Sequence, residues 1–153
     1  NGAANASLIN SEEGVLYAEI SALVDDGTLR SIAITDGTVN NIITIRYNSY
    51  SPGGSAIDGV YVNNGNPIYA SIIYPDSTVF TKIALSYQQG ALKLYVNGTL
   101  VKNVALVVND AINWNTLQFN IGNGTQVFYG NVRQVAVYKT ALTDAQLTEL
   151  TTI

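Results

Sequence analysis

The stretch Lys82-Ile83-Ala84-Leu85-Ser86-Tyr87-Gln88-Gln89-Gly90-Ala91-Leu92-Lys93-Leu94-Tyr95-Val96-Asn97-Gly98-Thr99-Leu100-Val101 decides the fold class. Ile83, Leu85 and Tyr87 occupy every second position and stop at Gln88-Gln89-Gly90. Leu92, Leu94 and Val96 repeat the pattern and stop at Asn97-Gly98. Leu100, Lys102, Val104, Leu106 and Val108 continue it beyond the turn. A period of two puts one set of side chains on one face, as a half-buried strand requires. Asn-Gly between two such runs marks a two-residue hairpin, because both central residues of a type I′ turn need positive φ.

The same pattern runs outward in both directions. Over 15–23, Leu16, Ala18, Ile20 and Ala22 share one face, with Val15, Tyr17, Glu19 and Ser21 on the other. Asp25-Asp26-Gly27 ends that run. Ile32 and Ile34 mark a second strand, stopped by Asp36-Gly37, and Ile43, Ile45 and Tyr47 a third. Further strands are expected near 57–63, 68–74, 116–121 and 130–138. Pro67 must begin its strand or lie on an edge, since it has no N–H for a ladder. Nine or ten short strands, with turn residues about every ten positions, predict an all-β antiparallel fold, a sandwich or a jelly roll. One short C-terminal helix is expected: Thr143 and Gln146 form a capping box, and Leu142, Leu147 and Leu150 supply an apolar face. The whole chain, 1–153, reads as a single domain.

Composition removes most chemistry. In 153 residues, 47% hydrophobic and 12% charged, the net charge is −4, which excludes disorder. Without Cys there is no disulfide or thiolate, and without His the usual general base and metal ligand are missing. Seven basic against eleven acidic residues make no nucleic-acid footprint. No apolar run reaches the ~20 residues of a membrane span. The chain opens at Asn1-Gly2 and contains no Met, which predicts a piece of a longer protein.

Two stretches resemble a known family. The hairpin at 82–101 is one. The other is Gly130-Asn131-Val132-Arg133-Gln134-Val135-Ala136-Val137-Tyr138-Lys139-Thr140-Ala141-Leu142, followed by the capping box. Together they resemble the laminin-G-like, concanavalin A-like jelly roll. The N-terminal part, from Leu8-Ile9-Asn10-Ser11-Glu12-Glu13-Gly14 through Asp25-Asp26-Gly27-Thr28 to Thr35-Asp36-Gly37-Thr38, is similar to modules of bacteriophage tail fibres and other virion proteins. The resemblance implies surface or glycan recognition. Concanavalin A-like glycosidases carry a Glu-x-Asp-x-x-Glu strand motif, of which Glu19-Ile20-Ser21-Ala22-Leu23-Val24 keeps the first acid alone, so no catalysis is expected.

Candidate binding residues follow from how sugars are held: an aromatic ring against the C–H face, and amides or charged groups on the hydroxyls. With ten Tyr against three Phe, most aromatics sit at strand positions such as Tyr17, Tyr87 and Tyr138, where core or cross-strand packing accounts for them. Tyr50 lies outside any alternating run, and Trp114 stands between Asn113 and Asn115. For Trp114 the competing reading is a plug at one end of the sandwich. Arg46, Lys93, Tyr95, Gln118, Asn120 and Gln134 fall on the polar sides of their strands and mark a candidate recognition face. The ligand-binding set is therefore Tyr50, Trp114, Arg46, Tyr95, Asn113 and Asn115.

No cofactor is required. Some laminin-G-like domains hold Ca²⁺ at the rim, and Asp25 and Asp26 are the candidate ligands among Asp25, Asp26, Asp36, Asp58, Asp76 and Asp110, which fall in or beside expected loops. Asp-Gly turn chemistry is the competing explanation. The expected function is non-catalytic attachment within a phage virion or other extracellular protein, with host-surface glycan and other fibre subunits as partners in an oligomer. A structural virion module with protein partners only, and a carbohydrate-binding module of a secreted polysaccharide-degrading enzyme, are the alternatives.

Overall fold

The computed structural model describes residues 8–50, 54–108 and 112–153, with backbone alone at 49, 50 and 54. Among the described residues ten strands form two five-stranded antiparallel sheets. The first sheet runs, edge to edge, β10 (Gly130–Tyr138), β1 (Gly14–Ala22), β6 (Thr81–Gln88), β7 (Ala91–Val96) and β8 (Thr99–Val104). The second runs β5 (Asn66–Tyr74), β4 (Gly54–Asn63), β3 (Ile42–Tyr50), β2 (Arg30–Thr35) and β9 (Thr116–Gln118). Helix α1 spans Asp144–Thr151.

The alternation read from sequence becomes the core. Leu16, Ala18 and Ile20, Ile83, Leu85 and Tyr87, and Leu92, Leu94 and Val96 face inward from the first sheet. Ile32, Ile34, Ile43, Ile45, Tyr47, Ile57 and Tyr61 answer from the second. Gly59 stands opposite the Leu85 side chain, and an added Cβ there would crowd the Leu85 methyl groups between the two sheets. Asn97 and Gly98 adopt φ of 47° and 79°, as the type I′ hairpin demands.

Two segments depart from the simple strand reading. β8 ends at Val104 instead of continuing to Val108, and its pairing with β7 slips at Leu94/Tyr95. The strand expected over 116–121 keeps only three residues as β9. Asn120 Oδ1 accepts from the N–H groups of Gly122 (2.6 Å) and Gly124 (3.2 Å), so a side chain takes donors that a ladder would otherwise use. The 119–127 segment consequently leaves the sheet, and Ser31 pairs with Val127 in an isolated parallel bridge. Helix α1 begins as its capping box predicts: Thr143 Oγ1 accepts from Gln146 N–H at 3.3 Å and Gln146 Oε1 accepts from Thr143 N–H at 2.9 Å.

Candidate functional site

A sandwich has two outer faces, and here they are treated differently. Outside the first sheet, α1 lays Leu147 onto Val15, Tyr17, Ala84 and Tyr95, with Leu142 and Leu150 beside them. That face is closed over its centre. Outside the second sheet, the 119–127 segment covers one half: Ile121 packs on Ile42, Val60 and Val62, and Ser31 Oγ donates to Gln126 Oε1 at 3.0 Å. The other half, over β3, β4 and β5, carries an open cleft of about 620 Å³.

Register explains what lines it. Ser31, Arg46, Asp58 and Ser71 stand in one row across β2, β3, β4 and β5. Tyr69 lies in the neighbouring row through Thr44 and Val60, and Ile73 in the opposite one through Asn48 and Ala56. Arg46 Nε and Asn48 Nδ2 both donate to Asp58 Oδ2 at 3.0 Å. Asp58 is only 3% exposed, and these charge-assisted bonds stabilise it there. The Arg46 guanidinium carbon lies 5.6 Å from the centre of the Tyr69 ring, which remains 47% exposed. Lys102 reaches the cleft from the adjacent edge strand β8. Asn48 also borders a second hollow, of about 610 Å³, walled by Thr28, Gln126 and Tyr129. Asn48 lines both hollows, with Tyr69 beside one and Tyr129 beside the other.

The laminin-G family model, described as the concanavalin A-like lectin/glucanases superfamily, matches residues 16–148. The chain belongs to the concanavalin A-like lectin/glucanases superfamily. A search of curated proteins finds no match. Among solved structures, this superfamily member is similar to the Ruminococcus gnavus IT-sialidase CBM40 bound to α2,3-sialyllactose, at 16% identity and TM-score 0.71, covering 95% of this chain and 86% of that one. It is similar to domain 4 of AbnA, a GH43 extracellular arabinanase from Geobacillus stearothermophilus in complex with arabinotriose (17%, TM-score 0.69, 94% of this chain and 68% of that one). The enzymatically active domain of bacteriophage CBA120 tailspike protein 2 is a third (15%, TM-score 0.71), where 99% of this chain matches 26% of that one. At these identities the likeness is one of fold.

Within this superfamily member, the residues expected to bind ligand do not form one site. Arg46 is in the cleft. Tyr95 is 2% exposed beneath α1 on the opposite side of the molecule, so it corrects the expectation of a shared polar face. Lys93 and Gln134 lie on that side too, and Lys93 pairs with Asp144 at 2.6 Å. Burial, then Asp144, pushes the Tyr95 hydroxyl up to about 12. Trp114 is 1% exposed and meets the rings of Tyr61 and Tyr87 edge-on at 5.5 and 5.3 Å. It is the plug, and offers no stacking face. Its Nε1 is buried with no hydrogen-bond partner among the described residues, out of reach of a sugar hydroxyl.

Asn113 is exposed and Asn115 is half-buried, and Asn115 N–H donates to Thr35 O at 3.1 Å. Thr35 is four residues along β2 from Ser31, the residue paired with Arg46, a separation of roughly 13 Å at ~3.3 Å per residue. The pair of amides is therefore remote from the cleft. Tyr50 ends β3, and its side chain lies outside the described residues. The principal site residues that sequence reading did not assign to ligand binding are Asp58, expected in or beside a loop and found in mid-strand, together with Tyr69, Asn48 and Lys102.

The rim acids do not fit Ca²⁺. Asp25 Oδ1 accepts from the hydroxyls of Ser55 and Ser77. Asp26 Oδ1 accepts from Thr28 N–H at 2.9 Å and from Arg30 Nη2 at 2.8 Å. Those bonds, the Thr28 N–H first, hold the Asp26 carboxyl at about 2. Ca²⁺ needs 6–8 oxygens, and here a guanidinium stands where a cation would. Among the described residues no group of three or more metal-ligating side chains comes together. Asp110 lies outside them. Glu19, the lone remnant of the glycosidase motif, accepts from Arg133 Nη1 at 3.0 Å and faces Lys82 and Gln134 across the sheet. Those neighbours supply no second carboxylate for acid–base cleavage. Among the described residues no helix is long and apolar enough to cross a membrane.

Proposed function

We propose that this chain is a non-catalytic recognition module that binds glycan in the cleft over β3, β4 and β5. One observation carries this reading: the open cleft of the second sheet joins an exposed Tyr69 ring to a hydrogen-bonded polar cluster of Arg46, Asn48 and Asp58, with Ser71 beside it. The ring suits a sugar's C–H face, and the row supplies both donors and acceptors for hydroxyls. The site is shallow, so single-site affinity is low and gains from several copies on an oligomeric assembly. The setting that we favour is a bacteriophage appendage contacting host-surface glycan. The N-terminal resemblance to virion modules and the likeness to a phage tailspike support it. A carbohydrate-binding module of a secreted polysaccharide-degrading enzyme uses the same cleft in the same way, and the likeness to the arabinanase domain favours that setting.

A glycan array probed with the chain tetramerised on a scaffold tests the binding reading. Tyr69→Ala should abolish the signal while leaving the melting temperature within a few degrees, because the ring is half in solvent. Absence of any glycan signal from the wild-type tetramer overturns it. A purely structural module with protein partners is the second reading. It is favoured by Leu23, Val24 and Val79, each more than half exposed at the loop end of the sandwich.

A further inference from the structure

We infer that the glycan taken by this cleft carries a carboxylate, which Arg46 and Lys102 bind together. The inference rests on the glycan reading above and narrows it. The chain as a whole is acidic, with a net charge of −4, yet the cleft is lined by two cations and one anion. Asp58 can neutralise only one of the two. Lys102 is exposed and forms no ion pair among the described residues.

The geometry of Arg46 points the same way. Its ion pair uses Nε alone, at 3.0 Å from Asp58 Oδ2. Asn48 braces the same oxygen, and Tyr69 lies alongside the guanidinium. The side chain is thus oriented from behind, while Nη1 and Nη2 make no hydrogen bond among the described residues. A guanidinium held this way presents a pair of parallel N–H donors, the pattern that matches the two oxygens of a carboxylate. A neutral sugar would use those donors one at a time and would leave the Lys102 charge with nothing to match. The sugar ring is then placed over Tyr69, with Ser71 and Asn48 left for its hydroxyls.

The test compares acidic glycans with their own methyl esters, which differ only in the charge and one methyl group. Sialylated and uronate-containing oligosaccharides are titrated into the tetramerised chain beside their esters and their neutral counterparts. The acids should bind at least about ten-fold more tightly than the esters, a difference that shrinks as salt is raised. Lys102→Gln should remove most of that difference without affecting folding, since the side chain is exposed. Arg46→Gln should remove the rest. Equal binding of acid and ester, or binding of neutral glycans alone, overturns the inference and leaves glycan recognition standing. If no glycan of either kind binds, both fall together.

Discussion

Arg46 and Asp58 face each other across β3 and β4, with Nε and Oδ2 3.0 Å apart on the outer surface of the second sheet. The pair is mostly buried, with side-chain exposures of 13% and 4%. An ion pair in such a place is often no more stabilising than two apolar residues, but removing one partner strands the other. Its place in the open cleft ties the chemistry of the site to the stability of the sheet.

Asp58→Ala should therefore destabilise the protein by about 3 kcal/mol, because Arg46 is left without its counter-charge. Arg46→Leu combined with Asp58→Leu should recover most of that loss while abolishing glycan binding. Urea titrations of the three proteins measure the first effect, and the array the second. A single Asp58→Ala variant as stable as wild type would show that the pair carries no such coupling.

Trp114→Ala should cost about 3–5 kcal/mol, the range for emptying a large aromatic site in a core. The ring fills the space between Tyr61 and Tyr87, so its loss opens a cavity lined by both sheets. Binding per folded molecule should stay as it was. Denaturation curves together with a titration of the folded fraction check this. A stable Trp114→Ala variant that had lost only binding would restore Trp114 as a ligand platform.

Asp26 makes the rim sensitive to acid. Its carboxyl sits at about 2 in the folded chain against 3.8 when unperturbed, so the ionised form favours the folded state. The contribution is complete above about pH 4 and disappears as pH falls through about 2. Asp26→Asn should flatten that part of the stability curve, with little change in its slope near neutrality. Arg30→Gln should weaken the same acid dependence, because its guanidinium is one of the groups that lower Asp26. Melting temperatures measured from pH 2 to pH 7 decide it; identical acid limbs for wild type and Asp26→Asn would contradict it.

Much of the fold was legible because burial in a sandwich follows a period of two. Ile83, Leu85 and Tyr87, and Leu92, Leu94 and Val96, are all buried as their alternation requires. The capping box at Thr143 needed only local chemistry, and it formed. The site was less legible because alternation separates inward from outward but cannot say which outward face stays open. Arg46 and Tyr95 occupy the same kind of position in sequence. One opens into the cleft and the other lies under α1, a difference set by a helix and a loop that return from far along the chain. Trp114 misled for a related reason: its ring partners lie 27 and 53 positions away, at Tyr87 and Tyr61. A signal for Asp58 did exist. Arg46 and Asp58 stand at equal distance in sequence on either side of Pro52, a turn-favouring residue, and they pair across β3 and β4.

The most direct test of the central claim is an amide chemical-shift map. The ¹⁵N-labelled chain is titrated with whichever glycan the array selects. Shifts should concentrate at Arg46, Asn48, Asp58, Tyr69, Ser71 and Lys102, with little movement at Tyr95, Trp114 or α1. Shifts concentrated on the helical face, or at the Asp25–Asp26 rim with the cleft unmoved, would contradict it.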